Sequence, residues 1–264
     1  MERIKEALER ARQERGDAPE AAAITTPTTP APAAPAGISY TQTRTTQTTS
    51  AAHRNRRVIG GMPNSDFADA YKILRTQVLQ RLRENDWNVL AITSPGEDEV
   101  KTLTAINLAI SLAMEVSYTV LLVDANLRHP SVHEHLGIPA GKGLSNYLLD
   151  DVPLPELLVH PDNLENVVIL PGGHSVQNSA ELLNSPKMAH LVDEVKNRYP
   201  GRIVIFDLPP VLTAADALAF APYVDAALLV LEEGKTTQDD ARRAVELLDC
   251  TNVIGTVLNK ANRD

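Results

Sequence analysis

Apolar residues recur at helical spacing early in the chain and then fall into short runs that alternate with amphipathic stretches. The first such stretch carries one apolar face and predicts a helix, with Phe67, Tyr71, Leu74, Val78 and Leu82 on that face. The apolar runs predict six strands, at residues 88–93, 119–124, 166–170, 202–207, 226–231 and 253–258. The intervening stretches predict helices, notably at residues 102–113, 180–198 and 237–248.

Strands that are apolar throughout and alternate with helices are typical of a parallel sheet covered on both faces. The pattern therefore predicts an α/β fold with a mostly parallel sheet. In such sheets ligands bind beyond the carboxyl ends of the strands. The residues that follow each predicted strand are thus the first candidates for a functional site.

The beginning of the chain has a different character. Residues 1–15 carry an apolar stripe at helical spacing, which predicts a short amphipathic helix, either packed on a partner or frayed in solvent. Residues 16–60 contain ten Thr and five Pro but few bulky apolar side chains, so a disordered Thr/Pro-rich linker is expected. Residues 61–264 are expected to form the folded domain.

Composition narrows the possible functions. The first 60 residues carry nine Lys/Arg and six Asp/Glu, whereas the remaining 204 carry 16 basic and 28 acidic residues. So acidic a domain is a poor candidate for nucleic-acid binding. The single cysteine excludes an intramolecular disulfide. No apolar run is long enough to cross a bilayer or to act as a signal peptide, so a cytoplasmic location is expected.

The segment after the first predicted strand ends in Lys101-Thr102, at the start of an apolar helix. This is the context of a phosphate-binding P-loop, whose lysine neutralises phosphates and whose Ser/Thr hydroxyl holds Mg²⁺. The glycine pattern differs, because Val100 precedes the lysine and Gly96 is one place away from the other glycine position. Lys-Thr at a helix start is also compatible with an ordinary cap, so both interpretations stay open for the motif alone.

Two further predicted strands end in aspartate, at Asp124 and Asp207. A carboxylate at the end of a buried strand needs a partner, and a metal ion beside a P-loop would provide one. Both aspartates together with the Lys-Thr pair are far more specific than any one of these features. The last predicted strand ends at Asn259, whose amide either reads a purine edge or belongs to a turn.

These residues, in this order, resemble the bacterial tyrosine kinase family, whose members are P-loop ATPases that work with membrane co-polymerases in capsule and exopolysaccharide export. The similarity extends from Asp66 to Lys260, and it is also carried by VLLVDANLRHP, IVIFDLPPVL, EEGKTT and VLNK. The initial helix and the linker look like the subgroup associated with exosortase-type loci. The resemblance implies the three-layer P-loop NTPase fold of the MinD/ParA kind.

The resemblance also implies roles for individual residues. Lys101 would contact phosphates, Thr102, Asp124 and Asp207 would surround Mg²⁺, and Lys101, Asp124 and Asp207 would be catalytic. The other nucleotide contacts would be made by Gly96, Glu99, Val100, Arg128 and Asn259.

Further implications concern assembly. The subunit-contact signature of the family, Glu-x-x-Arg-x-x-Arg, corresponds here to Asp69, Lys72 and Arg75, which implies a homo-oligomer. The expected cofactors are ATP and Mg²⁺. The expected partner is the cytosolic tail of a membrane polysaccharide co-polymerase, which would hold the protein at the inner face of the membrane.

The chain also departs from the family pattern. Asp98-Glu99-Val100 replaces Gly-Glu-Gly, and Asn126 stands where the family has a second aspartate. The tyrosine-rich tail has no counterpart, which leaves Tyr40 as the expected mobile acceptor. Three hypotheses follow: a tyrosine autokinase with a weakened ATP site, a catalytically impaired pseudokinase scaffold that regulates the co-polymerase by binding, and a ParA/MinD-like positioning ATPase. The third lacks its signature lysine, since Gly96 occupies that position.

Overall fold

The protein is represented by a computed structural model that describes residues 44–48, 56–59, 64–97, 100–198 and 201–261. Within these residues, eight strands form one sheet in the order β1-β4-β5-β3-β6-β2-β7-β8. Their bounds are β1 Arg44–Thr46, β2 Val89–Thr93, β3 Thr119–Asp124, β4 Val159–Pro161, β5 Val167–Leu170, β6 Arg202–Asp207, β7 Ala226–Glu232 and β8 Asn252–Asn259. All neighbouring strands are parallel except β4 and β5.

Helices cover both faces of this sheet. Their bounds are α1 Asp66–Glu84, α2 Lys101–Ala113, α3 Val132–Leu136, α4 Leu144–Asp150, α5 Leu154–Leu157, α6 Ser179–Leu183, α7 Pro186–Asn197, α8 Asp216–Phe220 and α9 Gln238–Leu247. One hydrophobic cluster joins α1, α2 and α3 to the sheet, and a second cluster joins the sheet to the other helices. The predicted three-layer α/β fold is confirmed.

The central strands β2, β3 and β6 are buried along their whole length. Each is apolar on both faces because helices cover both faces of the sheet. Such strands can therefore be recognised in the sequence as continuous apolar runs. The six predicted strands agree with the observed ones to within one residue at each end. Among the described residues, every helix is too short or too polar to span a bilayer.

Helix α1 has clear local causes. The Ser65 side chain accepts a hydrogen bond from the backbone N–H of Ala68 at 3.2 Å and so caps the first turn. Acidic residues lie in the first turn, and Arg81 and Arg83 lie in the last, as the helix dipole favours. Its apolar face then packs on α2, whose thirteen residues are all buried.

The single helix predicted over residues 180–198 is wrong. The chain forms α6 and α7 with a break between them, because Pro186 has no backbone N–H to continue the first helix. Proline is favourable at the first position of a new helix, and the Ser185 side chain caps that helix through the N–H of Met188 at 3.2 Å.

The linker predicted over residues 16–60 extends too far. Residues 44–46 form β1, which pairs with β4, and Val58 and Ile59 are almost fully buried. The N–H of Ile59 donates to the Asn107 side chain at 2.9 Å, which ties this segment to α2. Its two neighbouring bulky apolar residues gain enough burial to become part of the core. The helix predicted at residues 1–15 and the linker up to residue 43 lie outside the described residues.

Candidate functional site

The register of the sheet brings the two strand-terminal aspartates together. Asp124 of β3 pairs with Asp207 of β6, as neighbours at the carboxyl ends of adjacent parallel strands. Strand β2 lies on the other side of β6, and Ile92 pairs with Asp207. The loop that follows β2 and leads to Lys101 therefore begins directly beside the aspartates.

Val100 ends this loop in the left-handed conformation, with φ 58° and ψ 30°. This region disfavours L-residues by about 1–2 kcal/mol, and a β-branched side chain makes it worse. Val100 is held there by apolar contact with the core and because its carbonyl accepts the N–H of Thr104 at 3.1 Å. The backbone thus adopts the positive φ that a glycine would adopt more easily.

Helix α2 starts immediately afterwards and presents its first two side chains to Asp207. The Thr102 hydroxyl donates to Asp207 Oδ2 at 2.6 Å, and Lys101 Nζ lies 3.5 Å from Asp207 Oδ1. Lys101 and Thr102 are 8% and 7% exposed, so the cluster is shielded from solvent. Charged groups interact more strongly in such surroundings than in water.

Asp124 lies deeper and is less well satisfied. Its Oδ2 accepts the backbone N–H groups of Ser131 at 2.9 Å and Val132 at 3.0 Å, whereas its buried Oδ1 has no partner among the described residues. Burial, followed by the negative charge of Asp207, raises the pKa of Asp124 to about 7. A cation beside this oxygen would relieve both effects, which makes it a natural metal ligand.

A cavity of about 660 Å³ opens above this cluster. This volume is typical of small-molecule sites, which range over about 300–1,000 Å³. Lys101 and Thr102 form part of its lining, and the two aspartates lie beneath them, fully buried. Other lining residues include Glu97, Val100, Asn126, Arg128, His129, Ser131 and His135. Burial lowers the pKa of His135, which favours the neutral imidazole in this cavity.

The oxygen set is compatible with a hard cation such as Mg²⁺. The hydroxyl of Thr102, the carboxylate of Asp207 and the unpartnered Oδ1 of Asp124 are ligands of the kind that Mg²⁺ prefers. Among the described residues, no group of three or more His, Cys, Asp or Glu side chains is arranged to hold a metal by itself. Any Mg²⁺ would therefore need further oxygens from water or from phosphate.

The structure does not bring Asn259 to this cavity, so its predicted nucleotide contact is not supported. Its Oδ1 accepts the N–H of Lys260 at 2.9 Å, and its side chain lines a separate groove between β8 and α1. The physical reason is the sheet order, since β8 is separated from β2 by β7. The contact of Asn259 with a purine edge therefore stays a prediction.

One described loop position differs from expectation. Gly96 is not among the lining residues, and its carbonyl accepts the hydroxyl of Ser94 at 2.6 Å. Glu99 and the neighbouring Asp98 lie outside the described residues, as does Tyr40.

The predicted subunit-contact residues have unequal environments. Asp69 and Lys72 are exposed and pair with each other at 2.7 Å. Arg75 instead points into its own chain, where it donates to the carbonyl of Ser111 at 3.1 Å and pairs with Glu115 at 2.9 Å. Its guanidinium joins α1 to the end of α2, so a contact with another subunit fits Asp69 and Lys72 better than Arg75.

Two long-range contacts beside the cavity were missed from the sequence. Arg128 Nε donates to Asp216 Oδ2 at 3.1 Å, and Lys235 Nζ donates to the carbonyl of Glu97 at 2.6 Å. The residues of both contacts lie in loops or helix starts that follow strands. That position was the one sequence signal that could have pointed to them.

Comparison with known proteins places this geometry in a family. No family model matches the chain. The tyrosine-protein kinase YwqD of Bacillus subtilis is 34% identical over 199 residues, which cover 75% of this chain and 82% of the relative. The succinoglycan biosynthesis transport protein ExoP of Rhizobium meliloti is 33% identical over 214 residues, which cover 79% of this chain and 27% of that longer protein.

Solved structures give the same result. The kinase domain of the Escherichia coli tyrosine kinase ETK superposes with a TM-score of 0.71 at 27% identity, covering 78% of this chain and 82% of that domain. The septum site-determining protein MinD of Pyrococcus horikoshii, at 22% identity and a TM-score of 0.55 over 67% of this chain and 72% of its own, shares the fold. With the lysine, threonine and two aspartates gathered at one edge of the sheet, this chain belongs to the bacterial tyrosine-protein kinase family.

Proposed function

We propose that this chain binds Mg-ATP in the 660 Å³ cavity and transfers phosphate to tyrosine as part of an extracellular polysaccharide export system. The observation that carries the proposal is the convergence of Lys101 and Thr102 on Asp207, with Asp124 as the register neighbour of that aspartate. Export as the setting is supported by the similarity to ExoP, whose name assigns it to succinoglycan transport.

Each residue has a distinct role in this proposal. The Lys101 ammonium neutralises phosphate charge, and the first backbone N–H groups of α2 face the same anion at the positive end of the helix. Thr102, Asp207 and Asp124 supply oxygens to Mg²⁺. The bound ion would neutralise charge that develops on the phosphate oxygens. A cation beside Asp124 also returns this carboxyl group to its ionised form near neutral pH.

The conformation of Val100 shows how the replacement of the family's loop glycine affects nucleotide binding. Because Val100 already has φ 58°, the strain lowers the stability of the folded chain rather than its affinity for nucleotide. The remaining penalty is electrostatic, since Glu97 lines the cavity. At about 6 Å and an effective dielectric of about 20, two like charges repel by about 3 kcal/mol. Such a term weakens binding by about 100-fold without abolishing it.

Asn126 supports a second candidate function. Its buried Oδ1 has no partner among the described residues, and its side chain lines the cavity where the family pattern has a carboxylate. An amide cannot take a proton from an acceptor hydroxyl at neutral pH, as a carboxylate base can. The second candidate is therefore a nucleotide-binding scaffold with slow phosphoryl transfer, which regulates a membrane co-polymerase by binding.

The setting of either function is part of the proposal. The cytosolic tail of a membrane polysaccharide co-polymerase would recruit the chain to the inner face of the membrane. The exposed Asp69–Lys72 pair on α1 would contact a neighbouring copy in a homo-oligomer.

Calorimetric titration of the full chain with Mg-ATP tests the proposal directly. We expect saturable binding in the wild-type chain and none in Lys101→Met, because Lys101 lines the cavity and supplies the charge that neutralises phosphate. Lys142→Met is the matched control, since Lys142 is exposed and does not line the cavity. Absence of binding to the wild-type chain would refute the proposal.

A phosphotyrosine assay then separates the two candidates. With radiolabelled ATP and the co-polymerase tail present, label on tyrosine that disappears in Tyr40→Phe supports the autokinase. If the wild-type chain binds ATP without transfer and Asn126→Asp restores transfer, the scaffold function is supported and the amide is identified as the limiting group.

A further inference from the structure

Asp216 is a fully buried carboxylate outside the Lys101–Asp207 cluster. It begins α8, follows the loop after β6 and is 0% exposed. Its Oδ2 accepts Arg128 Nε at 3.1 Å, whereas its Oδ1 has no partner in the described residues. Burying a carboxylate is costly unless it is paired and hydrogen-bonded. A single hydrogen bond leaves this group under-satisfied, which calls for an explanation other than stability.

Arg128 connects Asp216 to the cavity. It follows β3, lines the same space as Lys101 and Thr102, and its side chain is 39% exposed. Asp216 occupies only its Nε, and within the described residues its two terminal nitrogens make no hydrogen bond. An arginine with free terminal nitrogens is suited to hold phosphate, because its planar fork donates two parallel hydrogen bonds.

The backbone on both sides of Arg128 is also held. Its carbonyl accepts the Ser175 hydroxyl at 2.6 Å, and the carbonyl of Leu127 accepts the N–H of Val176 at 2.9 Å. Backbone and Nε are thus fixed from two different loops. An arginine held in this way loses little conformational entropy when its terminal nitrogens bind a ligand.

We propose that Asp216 is a positioning residue, which holds the Arg128 guanidinium by Nε so that its terminal nitrogens bind the phosphates of the nucleotide. This inference rests on the proposed ATP site. The contact joins the loop after β3 to the helix that follows β6, so the strand ends that carry Asp124 and Asp207 also carry this second ion pair.

A double-mutant cycle on the affinity for Mg-ATP tests the inference. We expect Arg128→Gln and Asp216→Asn each to weaken binding, by about tenfold and about fivefold, because the first removes the cation and the second its charged anchor. In the Arg128→Gln background, Asp216→Asn should have no further effect on affinity. Additive losses would overturn the inference, because Asp216 would then act independently of Arg128.

Asp225→Asn is the matched control. Asp225 is also ion-paired, with Lys196, but it lies at the opposite end of the strands. It should leave nucleotide affinity unchanged whatever it does to thermal stability. A loss equal to that of Asp216→Asn would show that the effect reports stability alone, and this too would overturn the inference.

Arg128→Lys is a second variant that does not disturb Asp216. Lysine keeps the charge but has a single nitrogen, so Asp216 and phosphate compete for it. We expect affinity close to that of Arg128→Gln, and wild-type affinity would overturn the inference. If the wild-type chain binds no Mg-ATP, the proposed function fails and this inference fails with it. If binding depends on Lys101 but the cycle is additive, only this inference fails.

Discussion

The aspartates at the two ends of the parallel strands differ in how well their oxygens are partnered. At the amino end, Asp225 accepts the N–H groups of Asn88 and Val89, each at 3.0 Å, and pairs with Lys196. At the carboxyl end, Asp124 accepts two N–H groups but faces the charge of Asp207 and keeps one oxygen without a partner. Asp225 lies immediately before β7 and Asp124 ends β3, yet only Asp225 has partners for both carboxylate oxygens.

This contrast separates what stabilises the fold from what the site requires. The amino end fastens β2, β7 and α7 together through one carboxylate with three donors. The carboxyl end gathers like charges, a left-handed valine and an under-satisfied Asp216, all of which cost stability. Functional sites commonly carry such strain, because a group that is already satisfied has little left to offer a ligand.

The largest effect is expected from removing the satisfied aspartate. Asp225→Ala should lower the free energy of unfolding by about 2–4 kcal/mol, because two backbone N–H groups at the start of β2 and an ammonium lose their acceptor. Urea denaturation measures this loss. Asp239→Ala removes an exposed partner of Arg242 and should change stability by no more than about 0.5 kcal/mol. Equal losses of stability in the two variants would contradict the stabilising role assigned to Asp225.

Asp124→Asn should instead stabilise the chain, by about 2 kcal/mol at pH 8 without Mg²⁺, because it removes a buried charge. The pKa of Asp124 is about 7 in the folded chain against 3.8 ordinarily, so the folded state binds more protons between these values. Wild-type stability therefore falls as pH rises from about 4 to about 7, and the variant lacks this fall. Thermal melting of the wild-type chain and of Asp124→Asn in EDTA at pH 5 and pH 8 tests this prediction. A larger stabilisation by the substitution at pH 5 than at pH 8 would contradict it.

The smallest expected effect is at Val100, where the variant with the smaller side chain should be the more stable one. Val100→Ala should be less stable than Val100→Gly by about 1 kcal/mol, because alanine keeps the left-handed strain and glycine does not. Both variants lose apolar contact with the core, so comparing them isolates the backbone conformation. Urea denaturation of the pair measures it. If alanine were the more stable variant, the strain assigned to Val100 would be absent.

Some structural features could be predicted from the sequence because their causes are local. Strands β3 and β6 match the predicted 119–124 and 202–207, since a strand buried on both faces is a continuous apolar run. The break before Pro186 was equally local, but it was overlooked inside a longer apolar pattern. The positive φ of Val100 follows from the P-loop context rather than from the residue, whose own preference opposes it.

Other features depend on distant parts of the chain. The family resemblance implied a contact between Arg75 and another subunit, whereas the fold pairs Arg75 with Ser111 and Glu115 of its own chain. Asn259 ends a strand, as Asp124 and Asp207 do, yet the strand order places it beside a different groove. No local pattern contains strand order, because it results from packing between segments far apart in sequence.

The sequence by itself determined the alternation of strands and helices, the Lys-Thr pair at a helix start and an aspartate at the end of each of two strands, because apolar periodicity and strand ends are local properties. Only the tertiary structure decided that Asp124 and Asp207 are register neighbours, that Thr102 lies 2.6 Å from Asp207 and that Asp216 holds Arg128. Side chains separated by some 80 to 105 residues meet here because parallel pairing aligns the ends of strands that are distant along the chain.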